Sequence, residues 1–401
     1  MVSNSIVAYI DPGTGSLLVS TIVSILLTVT FYFKGIFYGG TFMFGGKRSK
    51  MISDFSDRLV FFSEGQSYWR VYEPVIRSLV AKGVALVYLT ADSDDDGLSF
   101  DSEFVESHYL GGMKQSIWIL NRLKATMCVM TTPQLDVIAL KRSKDVKHYC
   151  HIIHSPTDIH AYKKFAFDYF DSVLCSGSFQ IENLRYLEQI RGTAPKELFE
   201  TGCTYYDDFK IDTAAIGNAI LVAPTWGDRT FFKIYGHQII RDLLSAGFEV
   251  IFRPHPQSWI SDKNELDNLL TDFGNHDRFL LDKNTTAQSS LFASKVLICD
   301  ITSGMLFDMA FAYRKPVVAI NFKWKNGGYE AISLQRETAA LDLVRDLGIV
   351  VDPSDCEKIV DAVKVASAKV AADDVLGKYI YNFGQAGNVA AEHIVLIYQS
   401  I

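Results

Sequence analysis

The sequence predicts an α/β protein of two Rossmann-like domains preceded by a single transmembrane helix, on three observations. Apolar, β-branched runs alternate with helix-period stretches in two series, the pattern of parallel βαβ units. A polar stretch with little pattern, 205–218, separates the series as an interdomain linker. The 22 residues from Pro12 to Phe33 carry no charge, and as a helix they would span roughly 33 Å, enough to cross a bilayer.

Residues 1–50 are expected to form the membrane anchor and a basic juxtamembrane segment. No Lys or Arg precedes the uncharged span, so the positive leader of a cleaved signal peptide is missing and a retained anchor is expected. Lys34, Lys47, Arg48 and Lys50 follow it, and the positive-inside bias puts the later domains in the cytoplasm, as a single-pass protein of the inner cell membrane. Phe31, Tyr32, Phe33, Phe37 and Tyr38 would make the interfacial aromatic belt.

The first Rossmann-like domain is expected over 51–210. Strand patterns cover 59–62, 84–89, 126–130 and 148–154, with helical patterns at 68–81 and 113–124. The second domain, 211–401, has strand patterns at 219–222, 249–252, 296–299, 316–320 and 348–351. Helices are expected around 233–245 and 264–270 and over 305–312, and a closing helix over 386–400 is placed to pack back across the first domain.

Hydrophobic residues make up 48% and charged ones 21% of the 401 residues, which are globular values that argue against long disorder. The net charge of −7, without a dense Lys/Arg stripe in the globular part, speaks against a nucleic-acid binder. Six widely spaced cysteines, several inside apolar runs, read as reduced core thiols.

Two motifs carry the chemistry. Arg253-Pro254-His255-Pro256 and Asp300-Ile301-Thr302-Ser303-Gly304 each follow an apolar strand run, at the sheet edge where open α/β folds bind ligands. The first offers a guanidinium and an imidazole on proline-stiffened backbone; the second offers hydroxyls and a glycine before a helix start, which suits phosphate. Arg253, His255, Thr302, Ser303 and Gly304 would together clamp a pyrophosphate without a metal or other cofactor. Thr225 and Trp226, with Asp228 and Arg229, form a candidate wall of a nucleotide site, packing being the equal alternative. His154, expected to close its strand at the cleft, is a candidate general base, with His151 and His160 as competitors. Asp92 to Glu103 matches the calcium-loop spacing, but it follows a strand instead of a helix and is expected to be a solvated acidic loop.

Taken in order, His154-Ser155-Pro156, Ala166-Phe167-Asp168-Tyr169-Phe170-Asp171, Ala223-Pro224-Thr225-Trp226, the Arg-Pro-His-Pro stretch and 300–308 resemble the CDP-glycerol glycerophosphotransferase family. These enzymes build teichoic-acid-type polyol-phosphate polymers. Asp11-Pro12-Gly13-Thr14-Gly15 resembles the start of its membrane-anchored bacterial members. The resemblance implies a glycosyltransferase-B-type fold. It also implies transfer of a polyol phosphate, glycerol phosphate above all, from a CDP-polyol such as CDP-glycerol to a lipid-linked glycan or polymer acceptor at the membrane. By the same resemblance His154 is the base, while His255 and Ser303 hold the donor pyrophosphate. The chain departs from the family's pattern in lacking the glycine after His154, in Asp158 where a lysine is expected, and in Asp300-Ile301-Thr302-Ser303 for the usual Asp-Tyr-Ser-Ser. A nucleotide-sugar glycosyltransferase or UDP-sugar epimerase of the same fold, and a non-catalytic assembly scaffold, are the alternatives.

Overall fold

A computed structural model describes residues 53–209, 217–227, 230–284, 286–322, 327–369 and 373–401. The expected span 12–33, the basic residues after it, and Asp228 and Arg229 lie outside the described residues. Among those described, no helix is long and apolar enough to cross a membrane. Residues Phe55–Ile401 form one compact unit.

Its first lobe is built on β1 (Asp54–Ser63), β2 (Leu86–Thr90), β3 (Val105–Tyr109), β4 (Lys124–Met130), β5 (Val146–Ile152), β6 (Ser172–Cys175) and β7 (Glu197–Glu200), in the order β3-β2-β1-β4-β5-β6-β7. The second lobe is built on β8 (Ala219–Val222), β9 (Val250–Phe252), β10 (Phe279–Leu281), β11 (Ser294–Asp300), β12 (Val317–Ile320) and β13 (Ile349–Val351), in the order β10-β9-β8-β11-β12-β13. The paired strands run parallel in both sheets. Each order reverses once, between β1 and β4 and between β8 and β11, and such a switch point is where ligands enter an open α/β sheet.

The main helices are α1 (Trp69–Ala81), α2 (Met113–Leu120), α3 (Ser178–Arg191), α4 (Phe231–Ser245), α5 (Lys263–Phe273), α6 (Gln288–Ala293), α7 (Ala339–Leu347), α8 (Ile359–Ala366) and α9 (Ala386–Ser400). They cover both sheet faces, so the inner strands are apolar at successive positions. In the second lobe Leu221, Leu297 and Cys299 join one core cluster, while Ile220, Val222, Val296 and Ile298 join the other. Alternate residues of a strand point to opposite faces, which sorts them this way. All six cysteines are free and buried.

The terminal helix α9 returns to the first lobe. Ala390, Ala391, Ile394 and Ile397 join the core of α1 and the first sheet, each isoleucine adding roughly 1.5–3 kcal/mol of apolar burial. Asp207 caps the helix by accepting from the N–H groups of Ala386 (3.0 Å) and Gly387 (2.6 Å). A Cβ on Gly387 would lie 2.6 Å from that of Pro74, so this close approach of α9 to α1 requires glycine.

The structure adds elements that the sequence pattern did not predict. β3, β6, β7 and β10 are short, and β3, β7 and β10 are sheet edges; polar residues interrupt the apolar run in β3 and β7, and β10 has only three residues. The strand expected over 148–154 ends at Ile152, leaving His154 in the following connection. The helix expected over 305–312 is one α-turn, Met305–Phe307, continued by a π-helical turn, Asp308–Ala312.

Candidate functional site

The second lobe's switch point is organised by Asp300, at the end of β11. Its buried carboxylate accepts from the Thr225 N–H (2.8 Å) and hydroxyl (2.9 Å), and from the Phe231 N–H (3.0 Å) at the start of α4. Burial pushes this carboxyl up, against the opposing effect of those hydrogen bonds. Thr225 is therefore held by Asp300, and the neighbouring Trp226 is 53% exposed. The Trp226 ring lies 6.1 Å from that of His255.

His255 Nδ1 accepts from the Gln257 N–H at 3.1 Å, so the neutral ring carries its proton on Nε2. Burial lowers its pKa, opposed by Asp262, which favours this neutral donor form. Arg253 is placed differently from its motif partner. Its guanidinium donates to Asp282 (2.6 Å) and to the Asn284 carbonyl (3.0 Å), and only 11% of the side chain is exposed. Burial would raise the Asp282 carboxyl, but bonds from Ser290, Asn284 and Arg253 outweigh it and keep the carboxyl low. Arg253 thus braces the ends of β9 and β10 and carries its counter-charge with it.

Ser303 is buried, Thr302 half-buried and Gly304 exposed. The Ser303 N–H closes a turn on the Asp300 carbonyl at 2.9 Å. Nothing lies within 4 Å of where a Cβ on Gly304 would stand, so packing does not demand this glycine and the backbone beside it is open to approach.

In the first lobe, the half-buried His154 ring sits edge-on to Tyr68 at 5.3 Å and lies 6.1 Å from Tyr162. Its Nδ1 is buried without a hydrogen-bond partner, and burial lowers its pKa to about 4. The ring is neutral at physiological pH, the state a proton acceptor needs. Thr132 Oγ1, Tyr162 Oη and Ser176 Oγ are further buried polar atoms without a partner. Thr132, His154 and Ser176 follow β4, β5 and β6, so they gather at the carboxyl edge of adjacent strands. Buried polar groups are ordinarily satisfied, and a set of orphans at one edge marks a place suited to a polar ligand.

The competing histidines have other surroundings. His151 is fully buried, edge-on to Phe167 and Phe170 at 4.9 Å each. His160 is buried with Nε2 3.1 Å from the Arg336 carbonyl.

That last contact belongs to a seam between the lobes. Asp158, 5% exposed, accepts from the N–H groups of Ala339 (2.7 Å) and Ala340 (3.0 Å) at the start of α7. Burial raises its carboxyl to about 6. Fully buried Glu330 takes the Phe165 N–H (2.7 Å) and the Arg191 guanidinium, which also binds Asp168 at 2.6 Å. The Lys163 ammonium stands 3.7 Å over the Tyr329 ring. The loops beyond β5 and β12 therefore meet, bringing the carboxyl edges of the two sheets together. Among the described residues, no hydrogen bond or ring contact joins His154 to His255 or Ser303 across the lobes. Sequence reasoning missed Tyr68, Asp282 and Glu330, which acquire their roles only from neighbours distant in the chain.

The acidic loop is more ordered than a solvated turn. Asp95 is buried, accepting from Thr90 (2.7 Å), Tyr88 (3.0 Å) and the Gly97 N–H (3.0 Å). Asp92 accepts from the Asp94 and Gln66 N–H groups. Among the described residues, no group of three or more His, Cys, Asp or Glu side chains is arranged to hold a metal.

Two Rossmann-type lobes with apposed carboxyl edges, and a terminal helix returning to the first, define a two-domain α/β fold of glycosyltransferase-B type. Solved structures share it at low identity. A wall teichoic acid polymerase, TagF, matches 86% of this chain and 90% of its own at 11% identity, TM-score 0.51. UDP-GlcNAc 2-epimerase from Methanocaldococcus jannaschii, in complex with UDP-GlcNAc and UDP, matches 86% of this chain and 99% of its own at 13% identity, TM-score 0.53. UDP-N-acetylglucosamine 2-epimerase from Rickettsia bellii matches 86% and 96% at 14% identity, TM-score 0.56. No family model matches the chain, and no curated protein matches its sequence. At these identities the likeness is one of fold.

Proposed function

We propose that the protein is a membrane-anchored, cytoplasm-facing transferase that moves a polyol phosphate, glycerol phosphate in the first instance, from a CDP-polyol to a hydroxyl of a membrane-associated glycan or polymer. The observation that carries this reading is the neutral His154 imidazole at the carboxyl edge of the first sheet, with a buried, unpartnered Nδ1. An acceptor hydroxyl attacks the phosphorus bearing the polyol, its proton passes to His154, and CMP leaves. Across the cleft, the His255 Nε2–H, the Ser303 hydroxyl and the backbone beside Gly304 hold the diphosphate and the charge that spreads over it. Arg253 contributes through the firmness of the β9 end more than as a free cation. No step draws on a resident cofactor.

A UDP-sugar enzyme of the same fold is the second reading, favoured by one feature: Asp158, where the resemblance leads one to expect lysine, faces backbone N–H groups of the other lobe. The full chain in detergent, incubated with CDP-glycerol or UDP-GlcNAc and a lipid-linked glycan, separates the two. CMP release with glycerol phosphate on the glycan is expected; UDP release or sugar epimerisation, with no CMP, would overturn the first reading. His154→Ala should lower CMP release about 10²–10⁴-fold and leave CDP-glycerol binding intact.

A further inference from the structure

A cavity of about 580 Å³ lies outside the motif residues, at the linker between the lobes. Its volume falls within the range of small-ligand sites. Arg70, at the start of α1, contributes the first lobe; Tyr205, Asp208 and Phe209 come from the linker, and Gln288, Ser289 and Tyr313 from the second lobe.

The lining is held in place. The Arg70 guanidinium lies 4.6 Å over the Tyr205 ring and donates to its hydroxyl at 3.3 Å. Phe209 stands 5.2 Å from Tyr205 and 6.2 Å from Tyr313, whose hydroxyl donates to the Gln288 carbonyl at 3.3 Å. Behind this wall the π-helical turn is pinned by Asp308, which accepts from the Tyr206 hydroxyl at 2.8 Å. Such π-turns are frequent at functional sites.

The chemistry of the lining selects among ligands. Its two charged side chains, Arg70 and Asp208, are of opposite sign, so it lacks the excess positive charge that a free nucleotide diphosphate wants. Phe292 and Ala312 add apolar surface to the lining, but against an acyl chain its guanidinium, carboxylate, carboxamide and hydroxyls would find no partner. A saccharide fits: its hydroxyl rim both donates and accepts, matching this mixture, and its C–H faces lie flat on aromatic rings. The position is also informative. Arg70 comes two residues after Tyr68, the ring that packs on His154, and Tyr313 ends the helical stretch that starts at Gly304. The cavity is thus flanked in sequence by both halves of the candidate site.

We propose that this linker-side cavity binds a saccharide portion of the acceptor glycan; its acceptor role rests on the transferase reading, whereas saccharide binding itself does not. Saturation-transfer NMR and calorimetry on the full chain in detergent, with chitobiose, cellobiose, maltose and mannobiose as probes, test it. At least one disaccharide should bind. Tyr313→Ala, which removes a ring face, and Gln288→Ala, at an exposed position that should not disturb folding, should each weaken it about ten-fold, while Tyr313→Phe keeps it. The thermal shift given by CDP-glycerol should be unchanged in all three variants. Failure of all four disaccharides to bind, or undiminished binding in Tyr313→Ala and Gln288→Ala, overturns the cavity. Loss of CDP-glycerol binding from the unaltered chain, with disaccharide binding intact, overturns the donor reading instead.

Discussion

Asp158→Asn is expected to change how the protein's stability depends on pH. The Asp158 carboxyl is buried between the lobes and raised by burial from 3.8 to about 6, against the lowering effect of the Ala340 and Ala339 N–H groups. The groups facing it are His160, whose Nδ1 is 3.9 Å away, Asp342, which raises it further, and the amide N–H groups of α7. A carboxyl with a raised folded-state pKa binds its proton more tightly when folded. Its contribution is therefore fullest below pH 3.8 and is lost as pH rises through about 6. The gap between 3.8 and about 6, at 1.36 kcal/mol per pH unit, amounts to about 3 kcal/mol. Asparagine does not titrate, so comparing the two proteins cancels the ionising groups that do not face Asp158. Urea denaturation in detergent, followed by tryptophan fluorescence from pH 4 to pH 7, should show wild type losing about 2.4 kcal/mol relative to Asp158→Asn, the part of that 3 kcal/mol that falls within this range. A stability difference that stays flat from pH 4 to pH 7 would refute the burial of this carboxyl at the seam.

Asp300→Ala should destabilise the second lobe by about 2–4 kcal/mol, since it strips the buried N–H groups of Thr225 and Phe231 of their acceptor; thermal unfolding reports it. His255→Ala and Ser303→Ala should each weaken CDP-glycerol binding about ten-fold by calorimetry, a charge-assisted bond being worth about 1.5–3 kcal/mol. Unchanged affinity in both variants would remove the clamp. Deleting residues 1–46 should release a protein that stays in solution and still binds nucleotide, because the compact unit begins at Phe55; aggregation of the truncated chain, with the full chain stable in detergent, would make that segment part of the core.

The two-lobed α/β plan is written in the order of apolar runs along the chain. Central parallel strands are buried on both faces, so β2, β8, β11 and the second half of β1, Leu59 to Phe62, must be nearly continuous apolar runs, and such runs are legible without coordinates. Edge strands such as β3, with Glu106 and His108, face solvent on one side and lose that signal. The end-of-strand placing of His255 and Asp300 was likewise legible, because each follows an apolar run that ends at the sheet edge. What the polar groups there do was decided by tertiary structure. Arg253 had a motif but no visible partner until the loop after β10 brought Asp282 within 2.6 Å. Asp158 stood out only as a departure from a pattern, and its role depends on Ala339 and Ala340, far along the chain. Hydrophobic periodicity is a local property that each strand carries in its own residues. A charge's partner is set by how whole lobes dock, and no stretch of sequence contains that.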